Sequence, residues 1–163
     1  MIEVYLIPLG SEDSTRNMDT TLLNSVDAKT IEKYGTALPE DADKHSGINV
    51  WGLTAGKQNI RQWLRFKPGD NIIFVPTMDD LIVTEIIQPF RNKDLAKALW
   101  GVDKNGITWE LMVFLTILGK VKESKRSFLR NLGYPDNDNL QGNRRVTEKF
   151  ANVYGSIDIL LKS

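Results

Sequence analysis

The stretch from Val50 to Phe74, VWGLTAGKQNIRQWLRFKPGDNIIF, constrains the fold of this chain more than any other. It reads as the end of a strand, a glycine turn, a short helix, a tight turn and a covered strand. Ile60, Trp63 and Leu64 recur at helical spacing, which predicts one apolar face on that helix. Lys67-Pro68-Gly69-Asp70 has turn chemistry, because proline presets one φ angle and glycine accepts a positive one. Ile72, Ile73 and Phe74 form a short apolar run suited to a covered strand.

Trp63 falls on the predicted apolar face, and packing accounts for it. Trp51 is different: it stands between the extended run Ile48-Asn49-Val50 and Gly52, where the chain is expected to turn. A large ring at such a junction either caps the core or lines a pocket and stacks on a planar guest. The residues themselves leave both readings open.

The remaining elements follow from their punctuation. Glu3 to Leu9 is a predicted first strand, with Val4, Leu6 and Pro8 on one face and Tyr5 and Ile7 on the other; Pro8 marks its end or a sheet edge. Gly10 to Asp19 is polar and reads as a loop. Leu22, Leu23 and Val26 suit one short turn, after which Asp27 caps a helix over 28–34 closed by Gly35. Residues 36–47 are acidic and irregular. Leu81 to Ile87 is β-branched, and Asp79-Asp80 before it predicts a hairpin with the strand at 71–75. Asn92 caps a helix over 93–100, whose Leu95, Ala96 and Leu99 form an apolar face and which Gly101 ends. Asn105-Gly106 marks a turn, and Trp109 to Leu118 is the longest apolar run, a predicted central strand. Ser124 opens a helix with Phe128, Leu129 and Leu132 inside and Gly133 at its end. Residues 134–143 form a loop, and a closing helix is expected over about 145–161, broken at Gly155. Strands interrupted by short helices, without regular β-α-β alternation, predict a single α+β domain over 1–163 that is barrel-like rather than doubly wound.

At 163 residues, 41% hydrophobic and 26% charged, the chain can bury a sizeable core and is not of disordered composition. No apolar run approaches the roughly 18 residues of a membrane span. No signal peptide is read at its start, and the complete lack of cysteine excludes disulfides and thiolate metal sites. A cytoplasmic protein is expected. The formal net charge is zero, yet residues 1–49 hold nine acids against four bases, and residues 120–149 hold eight bases against four acids. That basic segment either tracks a phosphate backbone or is a solvated face.

Catalytic chemistry is sparse. The single histidine, His45, lies in an acidic loop without a nucleophile-elbow motif and is expected at the surface. GLTAGKQ lacks the Lys-Ser/Thr ending of a phosphate-binding loop, and no metal-ligand spacing occurs. Glu85 and Glu110 fall in predicted strands, but neither opens the Glu-x-Lys arrangement of many nucleases. No catalytic residue, metal or cofactor is expected. What remains is aromatics, amides and bases: Trp51 and Trp109 at predicted strand ends, Phe114 further along the second, and Ser11, Asn49, Gln141, Asn143, Arg144 and Arg145 in predicted loops. These residue types stack on bases, read their edges and neutralise phosphates.

At this point the sequence resembles a family. Tyr5-Leu6-Ile7 followed by a serine loop, VWGLTAGKQNIRQW, FKPGDNIIFV, LAKALWG and the strand led by Trp109 are similar to the EVE, YTH and PUA-like superfamily. Within it, LGYPDNDNLQGNRR (Leu132 to Arg145) is similar to the modification-sensing domains at the N-terminus of McrB-type restriction proteins. The resemblance covers about residues 3–150. It implies a small mixed β-barrel flanked by short helices that binds methylated DNA by base flipping, without catalysis, as the targeting module of a modification-dependent restriction system. It implies a base pocket with Trp51 as one cage ring, Trp109 or Phe114 as the other, and polar contacts from Ser11 and Asn49. Arg144, Arg145, Lys122, Lys125, Arg126 and Gln141 would meet the backbone, and further domains or subunits of a restriction complex would be partners. Pro8-Leu9-Gly10-Ser11 departs from the Lys-Ser-Asn triplet of RNA-reading members, which favours DNA. The rival expectations are a PUA-type RNA-binding domain and a protein-interaction module that touches no nucleic acid.

Overall fold

A computed structural model of the chain describes residues 1–40 and 47–163, so His45 lies outside the described residues. In chain order the elements are β1 (Val4–Leu9), α1 (Glu12–Thr21), α2 (Ala28–Lys33), β2 (Asn49–Leu53), α3 (Lys57–Trp63), β3 (Asn71–Pro76), β4 (Leu81–Arg91), α4 (Lys93–Trp100), β5 (Leu111–Val121), α5 (Lys125–Asn131), β6 (Arg144–Arg145), α6 (Thr147–Tyr154) and α7 (Ile157–Leu161). The strands are hydrogen-bonded neighbours in the order β2-β5-β4-β3-β1-β6. β1 runs parallel to β3 and antiparallel to β6, while β2–β5 and β3–β4 are antiparallel, so the sheet is mixed.

The described residues form two compact units. The first comprises Met1–Ser11, Gly69–Glu85 and Ile117–Ser163; the second comprises Glu12–Pro68 and Ile86–Thr116. In the first, Leu6 of β1 pairs with Ile73 of β3 and Pro8 with Val75. One face of these strands (Val4, Leu6, Ile73, Val75, Leu81, Val83) packs with Phe128 and Leu129 of α5, Phe150 of α6 and Leu160 of α7. Tyr5, Ile7, Ile72, Phe74 and Ile82 on the alternate positions are buried as well, which explains why these strands read as continuous apolar runs. Pro8 is tolerated because β6 covers only Tyr5 and Leu6, leaving the prolyl position on an open edge.

In the second unit, Val50 of β2 and Met112 and Phe114 of β5 share a core with Ile31 of α2 and with Leu95, Ala96 and Trp100 of α4. The expected caps are present: Asp27 accepts from the Lys29 N–H, and Asn92 Oδ1 accepts from Leu95 N–H at 2.9 Å. In the first unit Ser124 accepts from Ser127 N–H. Gly101, Gly133 and Gly155 follow their helices at positive φ, the last separating α6 from α7 as expected.

Three expectations need correction. Residues 12–21 are helical, not loop: Glu12 and Asp13 suit the positive N-terminal end, and Asn17, Met18 and Thr21 turn inward. A polar helix with so narrow a buried stripe carries no apolar period to read. On α3 none of the residues is buried, and Leu64, at 70% exposed, lies off the inner face altogether. Trp63 instead is half-buried and donates its indole N–H to the Met112 carbonyl at 2.9 Å. Finally, β2 does not turn at Gly52; it continues through Leu53, with Trp51 paired to Val113 and Gly52 to Met112.

Candidate nucleic-acid interface

The aromatic residues singled out by the sequence gather in the second unit. Trp51 sits in the middle of β2, and its ring is 4% exposed. Its neighbour Gly52 is the reason three indoles can meet there. A Cβ on Gly52 would lie 2.3 Å from the Trp109 carbonyl oxygen and 2.6 Å from Cζ3 of the Trp100 ring. A side chain of any kind is therefore excluded, and glycine serves close approach here rather than a turn. The Trp100 and Trp51 ring centres are 6.3 Å apart at 60°, and those of Trp100 and Trp109 are 6.5 Å apart at 81°. These are edge-on contacts of the kind the aromatic quadrupole favours.

Trp100, read from sequence only as the end of α4, is thus the hub of the cluster. It is 6% exposed, and its indole N–H has no hydrogen-bond partner among the described residues. A buried donor left without an acceptor costs about 1–3 kcal/mol, an unusual expense in a packed core. The sequence signal for it was the Leu99-Trp100-Gly101 ending, where a large ring precedes a helix-terminating glycine. Trp109 is half-buried ahead of β5. Phe114 is fully buried and stacked on Phe90, centroids 4.1 Å apart at 18°. Asn49 is half-buried, and its amide donates to the carbonyls of Thr21 and Leu22 at 3.1 and 3.2 Å. Its NH₂ therefore closes the C-terminus of α1, where helix carbonyls lack partners.

The remaining candidates belong to the first unit. Ser11 is exposed just beyond β1. Arg144 and Arg145 form the two-residue strand β6, opposite Leu6 and Tyr5, and both are already engaged. Arg144 grips Asp138 through two hydrogen bonds of 2.7 and 3.1 Å and lies over the Tyr134 ring at 4.6 Å. Arg145 binds Glu3 and makes a bidentate pair with Glu148 at 2.9 and 3.0 Å. Its partners push the Arg145 pKa further up, and Arg145 holds Glu148 below its usual value. Lys122, Arg126 and Gln141 are exposed and Lys125 is half-buried; none of these four side chains is in a hydrogen bond or ion pair among the described residues. Lys125 and Arg126 line a cleft of about 300 Å³ together with Arg130, Asp136 and Asp138.

Asp138 organises this region. The Arg144 guanidinium first, and the Leu140 N–H second, hold its carboxyl below the ordinary range. That N–H contact, at 2.9 Å, also pins Leu140 at a φ of 49°, a left-handed backbone that a leucine adopts only under constraint. A depressed folded-state pKa contributes stability that is complete above the unfolded value of about 3.9 and is lost as pH falls through the folded value. Asp138→Asn should therefore lower the urea midpoint at pH 6, with the gap from wild type closing below about pH 4. A gap that stays constant down to acid pH would show that the ion pair contributes nothing.

No family model matches the sequence, and a search of curated proteins finds no match. Among solved structures the chain is similar to the N-terminal domain of Thermococcus gammatolerans McrB bound to m5C DNA. The TM-score is 0.72 at 17% identity, covering 94% of this chain and 95% of that one. At that identity the likeness establishes the fold, a small mixed α+β architecture shared with that domain, as the sequence resemblance implied.

Proposed function

We propose that this chain is a single non-catalytic domain that reads a methylated base in DNA, drawing it out of the duplex into the indole cluster of the second unit. The observation that carries the reading is the meeting of Trp51, Trp100 and Trp109 around a side-chain-free Gly52, in a fold shared with a domain captured on m5C DNA. Trp51 and Trp109 are the rings that flank the base. Because Trp51 is 4% exposed, a guest enters only when the rings part. Trp100, which touches both, is the one that yields, and the carbonyl or ring nitrogen of a base can supply the acceptor its N–H lacks. Phe114, stacked on Phe90, backs the pocket from the core. Asn49 holds β2 against the end of α1, and Ser11 serves the nucleic acid from the first unit.

The energetics are feasible. Unstacking a base costs a few kcal/mol, and stacking on an aromatic ring returns about 1–3 kcal/mol per base, so two rings offset extraction. A methyl group adds only about 0.8 kcal/mol by burial. Discrimination beyond about fourfold therefore requires that the unmodified base leave a polar group unpaired. The biological role that follows is targeting of a modification-dependent restriction system in the cytoplasm, with cleavage performed by another domain or subunit.

The test compares methylated and unmodified duplexes of one sequence, with a matched RNA, in direct binding. Tighter binding of the methylated duplex, with loss of the imino proton resonance of the modified pair, is expected. Equal affinity for all three nucleic acids with every imino proton retained would overturn the reading.

A further inference from the structure

The local charge count of residues 120–149 treats all its bases alike, but the structure divides them. Arg144, Arg145 and Arg130 each hold a carboxylate: Asp138, Glu3 with Glu148, and Asp136 at 3.1 Å. An arginine already bonded to a fixed carboxylate brings little net field to a phosphate, because its charge is cancelled at contact distance. Lys125 and Arg126 are different. They stand side by side at the start of α5, outside any ion pair among the described residues, on the wall of the 300 Å³ cleft whose acids are the same Asp136 and Asp138. Both acids are covered by arginines, so the two side chains of α5 leave positive charge in excess there. Thr77 and Asn139, which also line the cleft, add neutral hydrogen-bond donors.

We propose that this cleft seats a backbone phosphate of the nucleic acid, held by Lys125 and Arg126, that Arg144 is a strut shaping the cleft through Asp138, and that Arg145 is a strut between β1 and α6, neither arginine touching the ligand. The inference rests on the nucleic-acid reading above but not on base flipping. Arg144 fixes Asp138, Asp138 fixes Leu140, and together they hold the 135–143 loop as one wall. Arg145 ties the start of β1 to α6 through Glu3 and Glu148. The cleft thus reads no sequence; it sets position and supplies affinity that is equal for modified and unmodified DNA.

Salt dependence separates struts from contacts, since each neutralised phosphate of duplex DNA contributes about 0.9 to the slope of log affinity against log salt. The Lys125→Ala/Arg126→Ala double variant should bind an unmodified duplex at least tenfold more weakly at low salt. Its slope should be shallower by about 0.9, and its ratio of methylated to unmodified affinity should be unchanged. Arg145→Ala, and Arg144→Ala combined with Asp138→Ala so that no uncovered acid is left in the cleft, should lower the urea midpoint yet, at temperatures where they remain folded, keep the wild-type slope. Should either flatten the slope instead, with the Lys125/Arg126 double variant retaining it, the division is reversed and the proposal fails. The proposal also fails if the protein binds polyglutamate in a salt-dependent way and does not bind duplex DNA, because the cleft then serves an acidic protein. Failure of methyl discrimination alone leaves the slope test intact, so the two readings fall separately.

Discussion

Gly52→Ala should destabilise the second unit by about 1–3 kcal/mol, a large effect for the addition of one methyl group. The added Cβ would meet the Trp109 carbonyl at 2.3 Å, the Trp100 ring at 2.6 Å and the Trp109 Cβ at 2.9 Å. Two of these belong to the segment approaching β5, and the backbone oxygen cannot turn aside as the end of a flexible side chain would. Nor can β2 retreat, because Gly52 is in register with Met112, whose own carbonyl is bonded by Trp63. Methylated-DNA binding should fall together with stability, since the indoles must separate to admit the new atom. Urea unfolding followed by circular dichroism measures the first effect. A midpoint within error of wild type would mean that the three rings are not held as closely as described.

The second large effect concerns the rings themselves. Trp109→Ala should weaken methylated-DNA binding roughly 10- to 100-fold, the loss of about 1–3 kcal/mol of stacking on one face of the base. Unmodified duplex should be bound almost as before, because its affinity comes from phosphates. Trp109 is the better first choice because it is half-buried, whereas truncating Trp51 in the middle of β2 would cost about 3–5 kcal/mol of folding stability. Trp51→Phe is the informative companion: a smaller ring that keeps the strand and a stacking surface should retain part of the discrimination. If both variants fold and still prefer the methylated duplex as strongly as wild type, the cluster is core and the pocket lies elsewhere.

The parts of this fold that were legible in the sequence are those whose cause is local. Asp27, Asn92 and Ser124 announce their helices because a short polar side chain satisfies N–H groups two or three residues ahead. The hairpin of β3 and β4 follows from two apolar runs and an acidic turn. What escaped depends on partners distant in the chain. Arg145 looks like a free cation until Glu3, 142 residues away, is found beside it. Gly52 looks like a turn residue until the Trp109 carbonyl is seen to occupy the place of its side chain. α1 escaped for a different reason: only three of its ten residues face inward, and two of these are polar, so no hydrophobic period exists to detect. Trp51 and Trp109 drew notice by their position near strand ends, but the contact each makes with Trp100 was not visible from spacing.

All four tryptophans of the chain, at positions 51, 63, 100 and 109, fall in the second unit, while the cleft and both arginine struts belong to the first. Intrinsic indole emission is therefore a label-free reporter confined to one half of the molecule. Quenching or a spectral shift on adding ligand signals an event near the rings. Titrations that monitor emission and overall binding in parallel can thus show when a ligand reaches the rings, without a single substitution.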